Sequence, residues 1–357
     1  AKRTFLYYLA TNAAAVVVGI TLVSIFQPGR GRSLGGREGC ALNAIVGSAL
    51  PPENSTDVTA AAAVTGGGEE GAVEVMLGVL RDVVPPNVVE AAVDMNILGV
   101  ITFALMFGAA LSTVGSNGDV VVSLVHGFND VIGVMVGWVL WLSPGGIASL
   151  IAANIAGACD PLGALRALSV YFVTYVLALT AHSLGALPLC FYAFVRRRPW
   201  GIYRAMVPAM TTAFALDSSA AALPVTMRCA TASEAEGGLG CDGSVAKFVL
   251  PLGATVNMNG TALYEALTVI FIAQVHNVDL GFARLLVVAC TATLAAVGAA
   301  TIPSAGLVTM VMVLQAVGLE EYVGDLAVIL AVDWLLDRMR TAVNVLGDGF
   351  AAAAVTG

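Results

Sequence analysis

The sequence is poor in charge. Asp, Glu, Lys and Arg make up 11% of its 357 residues, well under half the share usual in a soluble domain. It has no basic patch that could track a phosphate backbone, which excludes a nucleic-acid-binding protein. The six cysteines, Cys40, Cys159, Cys190, Cys229, Cys241 and Cys290, are scattered with no CxxC. Neither a zinc site nor a disulfide framework is indicated. No signal-peptide cleavage pattern precedes the first apolar run, and the beginning at Ala1, a few residues before that run, reads as a truncated start. What is abundant is apolar. At 58% hydrophobic residues and a mean hydropathy of +0.89, the chain falls among polytopic membrane proteins. The net charge of −8 draws its acidic excess mostly from two loop-like stretches, 38–96 and 234–242.

Residues 5–26 form a first span, preceded by Lys2 and Arg3 and ended by Gln27-Pro28-Gly29. The basic residues in front suggest a cytoplasmic start. Residues 30–72, rich in Gly, Ser, Thr and acid, read as a solvent loop, and this topology puts their sequon Asn54-Ser55-Thr56 outside. A short amphipathic stretch, 73–93, is broken at Pro85-Pro86. Spans follow near 96–115 and from 119 to about 143, where Pro144-Gly145-Gly146 interrupts the second of them. A fourth, 168–195, closes on Arg196-Arg197-Arg198, the strongest positive-inside signal in the chain and consistent with four crossings. Arg30, Arg32 and Arg37 weigh mildly against it. His126 and Asp130, four apart, read as a structural or water-facing pair rather than a proton relay, and His182 as a satisfied helix–helix contact.

After residue 200 the spans are broken. Segment 204–228 is interrupted at Asp217-Ser218-Ser219 and Leu223-Pro224, and segment 291–318 at Gly298, Pro303, Ser304 and Gly306. Each suits a hairpin that enters and leaves on one side. Between them, 246–275 is broken at Asn257-Met258-Asn259-Gly260-Thr261. Irregular backbone at membrane depth is tolerated only where it lines a cavity or packs on protein. Discontinuous helices around a midplane site are the pattern of a secondary transporter, and the sequence carries the weak duplication that goes with it: a broken hairpin and then a long span, twice.

The last span, 324–350, holds the densest polar pattern. At about 100° per residue, Asp333, Asp337, Arg340, Thr341, Asn344 and Asp348 fall within an arc of roughly 100°. Ionisable residues in such a segment are costly and mark function by default. The plainer reading is a salt-bridge ladder that only orients helices. The functional one is a polar pathway or binding site in the membrane interior.

At SSAAALPVTMRC, FVLPLGATVNMNGTALYEAL, AAVGAATIPSAGLVTM and AVDWLLDRMRTAVNVLGD the sequence resembles the glutamate transporter family, the dicarboxylate/amino acid:cation symporters, and within it the eukaryotic excitatory amino acid transporters. The resemblance runs from Tyr7-Tyr8 onward. It implies an all-α membrane fold with two re-entrant hairpins and discontinuous helices, assembled as a homotrimer in the lipid bilayer of the plasma membrane. Residues 1–29 would be family helix three, in the transport domain; 30–166 a loop with scaffold helices four and five; and 167–357 the rest of the transport domain. The latter would hold helix six, hairpin one at 204–228, helix seven at 246–275, hairpin two at 291–318 and helix eight at 324–350. The family's first two helices, both scaffold, are absent from this sequence.

The resemblance implies a sodium-coupled symporter of glutamate or aspartate working by an elevator motion, with no organic cofactor and with H+ and K+ as further candidate ions. Arg340 would meet the substrate's side-chain carboxylate and Asp337 its α-amino group, with Thr341 beside them. Asn344 and the backbone near Ser218 and Ser219 would hold the α-carboxylate, while Thr261 and backbone near Gly306 complete the pocket. The chemistry agrees, since a dicarboxylate wants the planar fork of Arg. Sodium would meet Asn257, Asn344, Asp348 and Gly253 at one site, backbone around Thr255, Met258 and 296–299 at a second, and Tyr8, Thr11 and Asn257 at a third. Glu265 stands where relatives carry a proton.

Several positions depart from the family. Asn259 replaces the aspartate of NMDGT, Asp217 stands where relatives have serine or arginine and could pair with Arg338, Ala220 and Ala222 thin the first hairpin's hydroxyl run, Ala296 alters the second hairpin, and Thr301 replaces a tip glycine. These leave two alternatives: a channel-like or receptor-like member with altered ion coupling, or a non-functional truncated one. An intramembrane aspartyl protease is excluded, because Val345-Leu346-Gly347-Asp348 is not GxGD and an Arg among the carboxylates holds them ionised.

Overall fold

A computed structural model of the chain describes residues 2–31, 84–93, 96–157, 161–299 and 305–356. The sequon at 54–56, Cys40, Cys159 and Thr301 lie outside the described residues. Within them every regular element is helical. Helix α1 spans Lys2–Phe26, α2 Val88–Val93, α3 Ile97–Val114, α4 Asp119–Gly157 and α5 Pro161–Ala181. A π turn at His182–Ala186 leads into α6, Leu187–Val195. Then follow α7 (Trp200–Leu216), α8 (Ser219–Thr231), α9 (Gly243–Val256), α10 (Asn259–Val275), α11 (Phe282–Gly298), α12 (Ala305–Ala316) and α13 (Leu326–Thr356). By length and composition, Lys2–Phe26, Thr102–Val139 and Leu162–Val195 can each cross a bilayer.

The centre of the molecule is α10. Every residue in it is buried except Gln274, as expected of a helix apolar all round. Around it pack α1, α11, α12 and α13. Gly19 and Gly29 of α1 and its following turn let the two backbones approach: a Cβ on Gly29 would sit 2.5 Å from the Phe271 carbonyl oxygen. In contrast α3 and α4 present Phe103, Met106, Trp138 and Trp141 outward, a surface suited to lipid.

The breaks expected from the sequence occur, with sharper limits. Helix α7 ends at Asp217 in the left-handed conformation (φ 53°), and Ser218, extended, caps α8 by accepting from the Ala221 amide at 3.2 Å. Asn257 and Met258 (ψ 57° and 64°) separate α9 from α10. Three expectations are corrected. Pro144-Gly145-Gly146 does not end a helix, since α4 runs through it. Leu223-Pro224 is no interruption either: Pro208 and Pro224 both lie inside helices. His182 is buried, but neither ring nitrogen has a hydrogen-bond partner among the described residues, so it is not a satisfied contact.

Ring and side-chain contacts fix which ends lie together. Tyr7 packs edge-on against Phe194, and Phe350 against both Phe191 and Tyr203. The start of α1, the end of α6, the start of α7 and the end of α13 therefore share one end, which carries Lys2, Arg3, Arg196, Arg197 and Arg198. At the other, Gln274 donates to the Val23 carbonyl (3.0 Å) and accepts from the Gly29 amide (3.2 Å). His276 there meets Asp325 at 2.5 Å and stacks on Tyr322. The pair α7 and α8 thus opens toward the basic end, and α11 and α12 toward the opposite one. Their tips meet halfway along α13.

Candidate functional site

At that level the tip of α7 and α8, the break between α9 and α10, the ends of α11 and α12, and the middle of α13 line a small polar cavity. From the first tip come Asp217, Ser218 and Ser219; from the break Met258 and Thr261; from the second pair Ala299, Ala305 and Gly306; from α13 Asp337, Arg340, Thr341 and Asn344. Every residue that the sequence assigned to the substrate lines it. Its free volume is about 20 Å³, room for roughly one water.

Arg340 dominates the cavity. It is 2% exposed, lies 4.3 Å over the Tyr264 ring and forms an ion pair with Asp337, one turn back. Asp333, two turns back on the same face, stands 3.9 Å from its Nη1 and accepts from the Tyr264 hydroxyl at 2.7 Å. Two carboxylates and a ring face offset the desolvation of one guanidinium. Among the described residues Nη1 nevertheless has no hydrogen-bond acceptor. Gly306 leaves the space that this guanidinium fills, since a Cβ there would lie 3.0 Å from Nη1.

Asn344 closes the floor. Its Oδ1 accepts from the Gly260 amide (2.7 Å) and its Nδ2 donates to Thr261 (3.3 Å), satisfying an orphan donor in the first turn of α10. Thr341 donates to the Asp337 carbonyl (2.9 Å) and, at 3.4 Å, to Asp217. Ser219 donates to the Ala254 carbonyl, tying the first tip to α9. Arg338 does not form the ion pair with Asp217 that the sequence allowed. Its Nη1 donates instead to the carbonyls of Phe214 (3.0 Å) and Ala215 (2.7 Å), in the last turn of α7, where a cation favours both the orphan acceptors and the helix dipole.

A second polar cluster lies toward the basic end. Asn257 donates to Asp348 (3.0 Å) and accepts from Thr11 (3.3 Å), and Tyr8 donates to the Val249 carbonyl (2.7 Å). Gly253 leaves the gap in which the Asp348 carboxylate and the Tyr8 hydroxyl sit. Tyr8, Thr11, Gly253, Asn257 and Asp348 are therefore together, a set of oxygens suited to a hard cation. Asn259 is buried beside Asn257 and Gly347, and neither of its side-chain atoms has a partner among the described residues. The Thr255 side chain lies outside the cluster, exposed and bonded to the Leu252 carbonyl. Met258 lines the small polar cavity rather than this cluster.

Glu265 is fully buried in α10 and accepts from the Thr309 hydroxyl of α12; its Oε2 has no partner among the described residues. Sequence reasoning gave Asp333 no role of its own. Its place on the polar stripe of α13 was the available signal. Tyr264 was missed too, because one aromatic residue in an apolar helix carries no mark of what it faces.

Comparison with known proteins gives the family. The family model described as the sodium:dicarboxylate symporter family matches residues 1–357. An excitatory amino acid transporter of Caenorhabditis elegans is 40% identical over 368 residues, covering 98% of this chain and 72% of that protein. One from Onchocerca volvulus is 40% identical over 98% of this chain and 73% of its own length. Excitatory amino acid transporter 2 of Mus musculus is 39% identical over 99% of this chain and 65% of its own length. With a match over its whole length and relatives this similar, the chain belongs to the sodium:dicarboxylate symporter family and is a multi-pass membrane transporter, not an enzyme.

Proposed function

We propose that the protein is a sodium-coupled symporter of acidic amino acids. The observation that carries this is Arg340: a buried guanidinium facing a small polar cavity, its Nη1 without an acceptor among the described residues, one turn from a carboxylate that can take an ammonium. An acidic amino acid carries both complementary charges. Binding would exchange the ion pair between Arg340 and Asp337 for two pairs with substrate. The α-carboxylate would rest at the first tip, by Ser218 and Ser219, with Asn344 below. Sodium would be held by the cluster of Tyr8, Thr11, Gly253, Asn257 and Asp348, with Asn344 and the backbone near Thr255 and Met258 completing the family's sites.

The two tips meeting from opposite ends suit two re-entrant hairpins, each opening to one side of the membrane. We assign α2, α3 and α4 to the segment that holds the scaffold, which trimerises in the plasma membrane, and α1 with α5 to α13 to a transport domain that slides against it as an elevator. Glu265, buried where the second hairpin packs on α10, is the candidate proton carrier, and K+ a candidate counter-ion. The neutral Asn259 favours one second reading, a member that binds its amino acid but couples ions weakly.

Uptake of radiolabelled L-aspartate into vesicles, with and without an inward sodium gradient, separates the two readings. The symporter concentrates substrate only with the gradient. A channel-like member would instead pass uncoupled anion current without accumulation. Glu265→Gln should retain exchange of internal for external aspartate while net uptake loses its pH dependence. Net uptake with unchanged pH dependence would make Glu265 structural.

A further inference from the structure

The first tip carries a charge that no ion pair offsets among the described residues. Asp217 ends α7 in the left-handed conformation (φ 53°), which an ordinary side chain adopts only at a cost. It is 8% exposed and lines the cavity. The cation nearest in sequence logic, Arg338, is committed to the Phe214 and Ala215 carbonyls. Among the described residues Asp217 has no ion pair, and its hydrogen bond from Thr341 is long, at 3.4 Å. The charged groups that act on it all come from α13: Asp337, Arg340, Arg338 and Asp333. Of these, Arg340 is already shared between Asp333 and Asp337. The charged side chains lining the cavity are therefore Asp217 and Asp337 against Arg340, one negative charge in excess.

This excess is not spread evenly. Arg340 lies against Gly306 of the second hairpin, whereas Asp217 adjoins Ser218 and Ser219 of the first. On the reading of the cavity as an acidic-amino-acid site, on which this inference rests, the side-chain carboxylate goes to the former and the α-carboxylate to the latter. We propose that Asp217 is a specificity-determining residue that opposes the substrate's α-carboxylate. It holds down affinity for ordinary amino acids of either charge and favours ligands in which that group is neutral. Like charges a few ångströms apart in a partly dry site interact strongly enough for an effect of about tenfold or more.

The test is equilibrium binding at saturating sodium to the full chain in lipid nanodiscs. The ligands are L-aspartate, L-asparagine (side-chain amide) and L-isoasparagine (α-amide). Asp217→Asn keeps the shape and removes the charge; Asp217→Gly removes it in a residue that accepts the left-handed φ, should the first fold poorly. Both should tighten aspartate and asparagine by about tenfold or more, and change isoasparagine by less than about twofold. Equal shifts for all three ligands, or unchanged or weakened aspartate binding, would overturn the inference and leave the site reading intact. Failure of every form, wild type included, to bind any of the three would bring down the site reading and the inference with it.

Discussion

Arg340 is the residue whose surroundings best explain the cavity. An isolated guanidinium at membrane depth would cost several kcal/mol. Here it is held by Asp337, by Asp333 and by the face of Tyr264. The polar stripe that brings these residues together was legible in the sequence, because helical periodicity alone puts positions 333, 337 and 340 on one face. The partner of Arg338 was not. Periodicity placed it off the stripe, but only the tertiary fold brings the end of α7 within its reach. Asn259 was legible as a neutral residue, and the fold adds that it is buried with its amide unmet among the described residues. A neutral amide beside the cluster of Thr11, Asn257 and Asp348 attracts a cation less than a carboxylate would. Asn259→Asp should lower the sodium concentration needed for half-maximal substrate binding. An unchanged sodium titration would detach this position from the cation sites.

At the scale of elements, the broken helices follow from local chemistry. Asp217-Ser218 supplies a left-handed residue and then a capping hydroxyl, and Asn257-Met258 a two-residue step out of the helical region, after which Asn344 takes the Gly260 amide. These breaks could be read from sequence because Ser, Asn and Gly cluster there among apolar residues. The continuity of α4 through Pro144-Gly145-Gly146 could not: a proline inside a helix removes one backbone hydrogen bond and can kink the helix without ending it. The junction of α1 with α10 depends on Gly29. A Cβ there would meet the Phe271 carbonyl and the Val275 amide, both backbone, so the helices must separate. Gly29→Ala should destabilise the protein by about 1–3 kcal/mol, as overpacking does. Thermal unfolding in detergent would show this as a clear fall in Tm, and an unchanged Tm would mean that the turn after α1 yields freely.

For the whole molecule, the decisive feature is polarity between its ends. Lys2, Arg3 and Arg196 to Arg198 gather at one end, where Tyr7 meets Phe194; Asp325, Tyr322 and the end of α10 gather at the other. By the positive-inside rule the first end is cytoplasmic. In a background without other cysteines, a membrane-impermeant thiol reagent added outside should label Glu321→Cys and spare Arg197→Cys. Labelling of the second alone would invert the molecule and exchange the sides to which the two hairpins open. Charge flanking the spans made this orientation readable from sequence. That both hairpin tips converge on the middle of α13 was readable only in part, since sequence gives the breaks and not their depth.

The most direct test of the whole account is sodium-dependent binding of glutamate, aspartate, serine and alanine to the protein and to its Arg340→Cys variant. Loss of the guanidinium should weaken glutamate and aspartate by about 2–5 kcal/mol, the scale of breaking a desolvated charge pair. Serine and alanine, held through Asp337 and Asn344, should bind the variant at least as well as the wild type. Retained aspartate affinity in Arg340→Cys, or loss of all four ligands together, would contradict it.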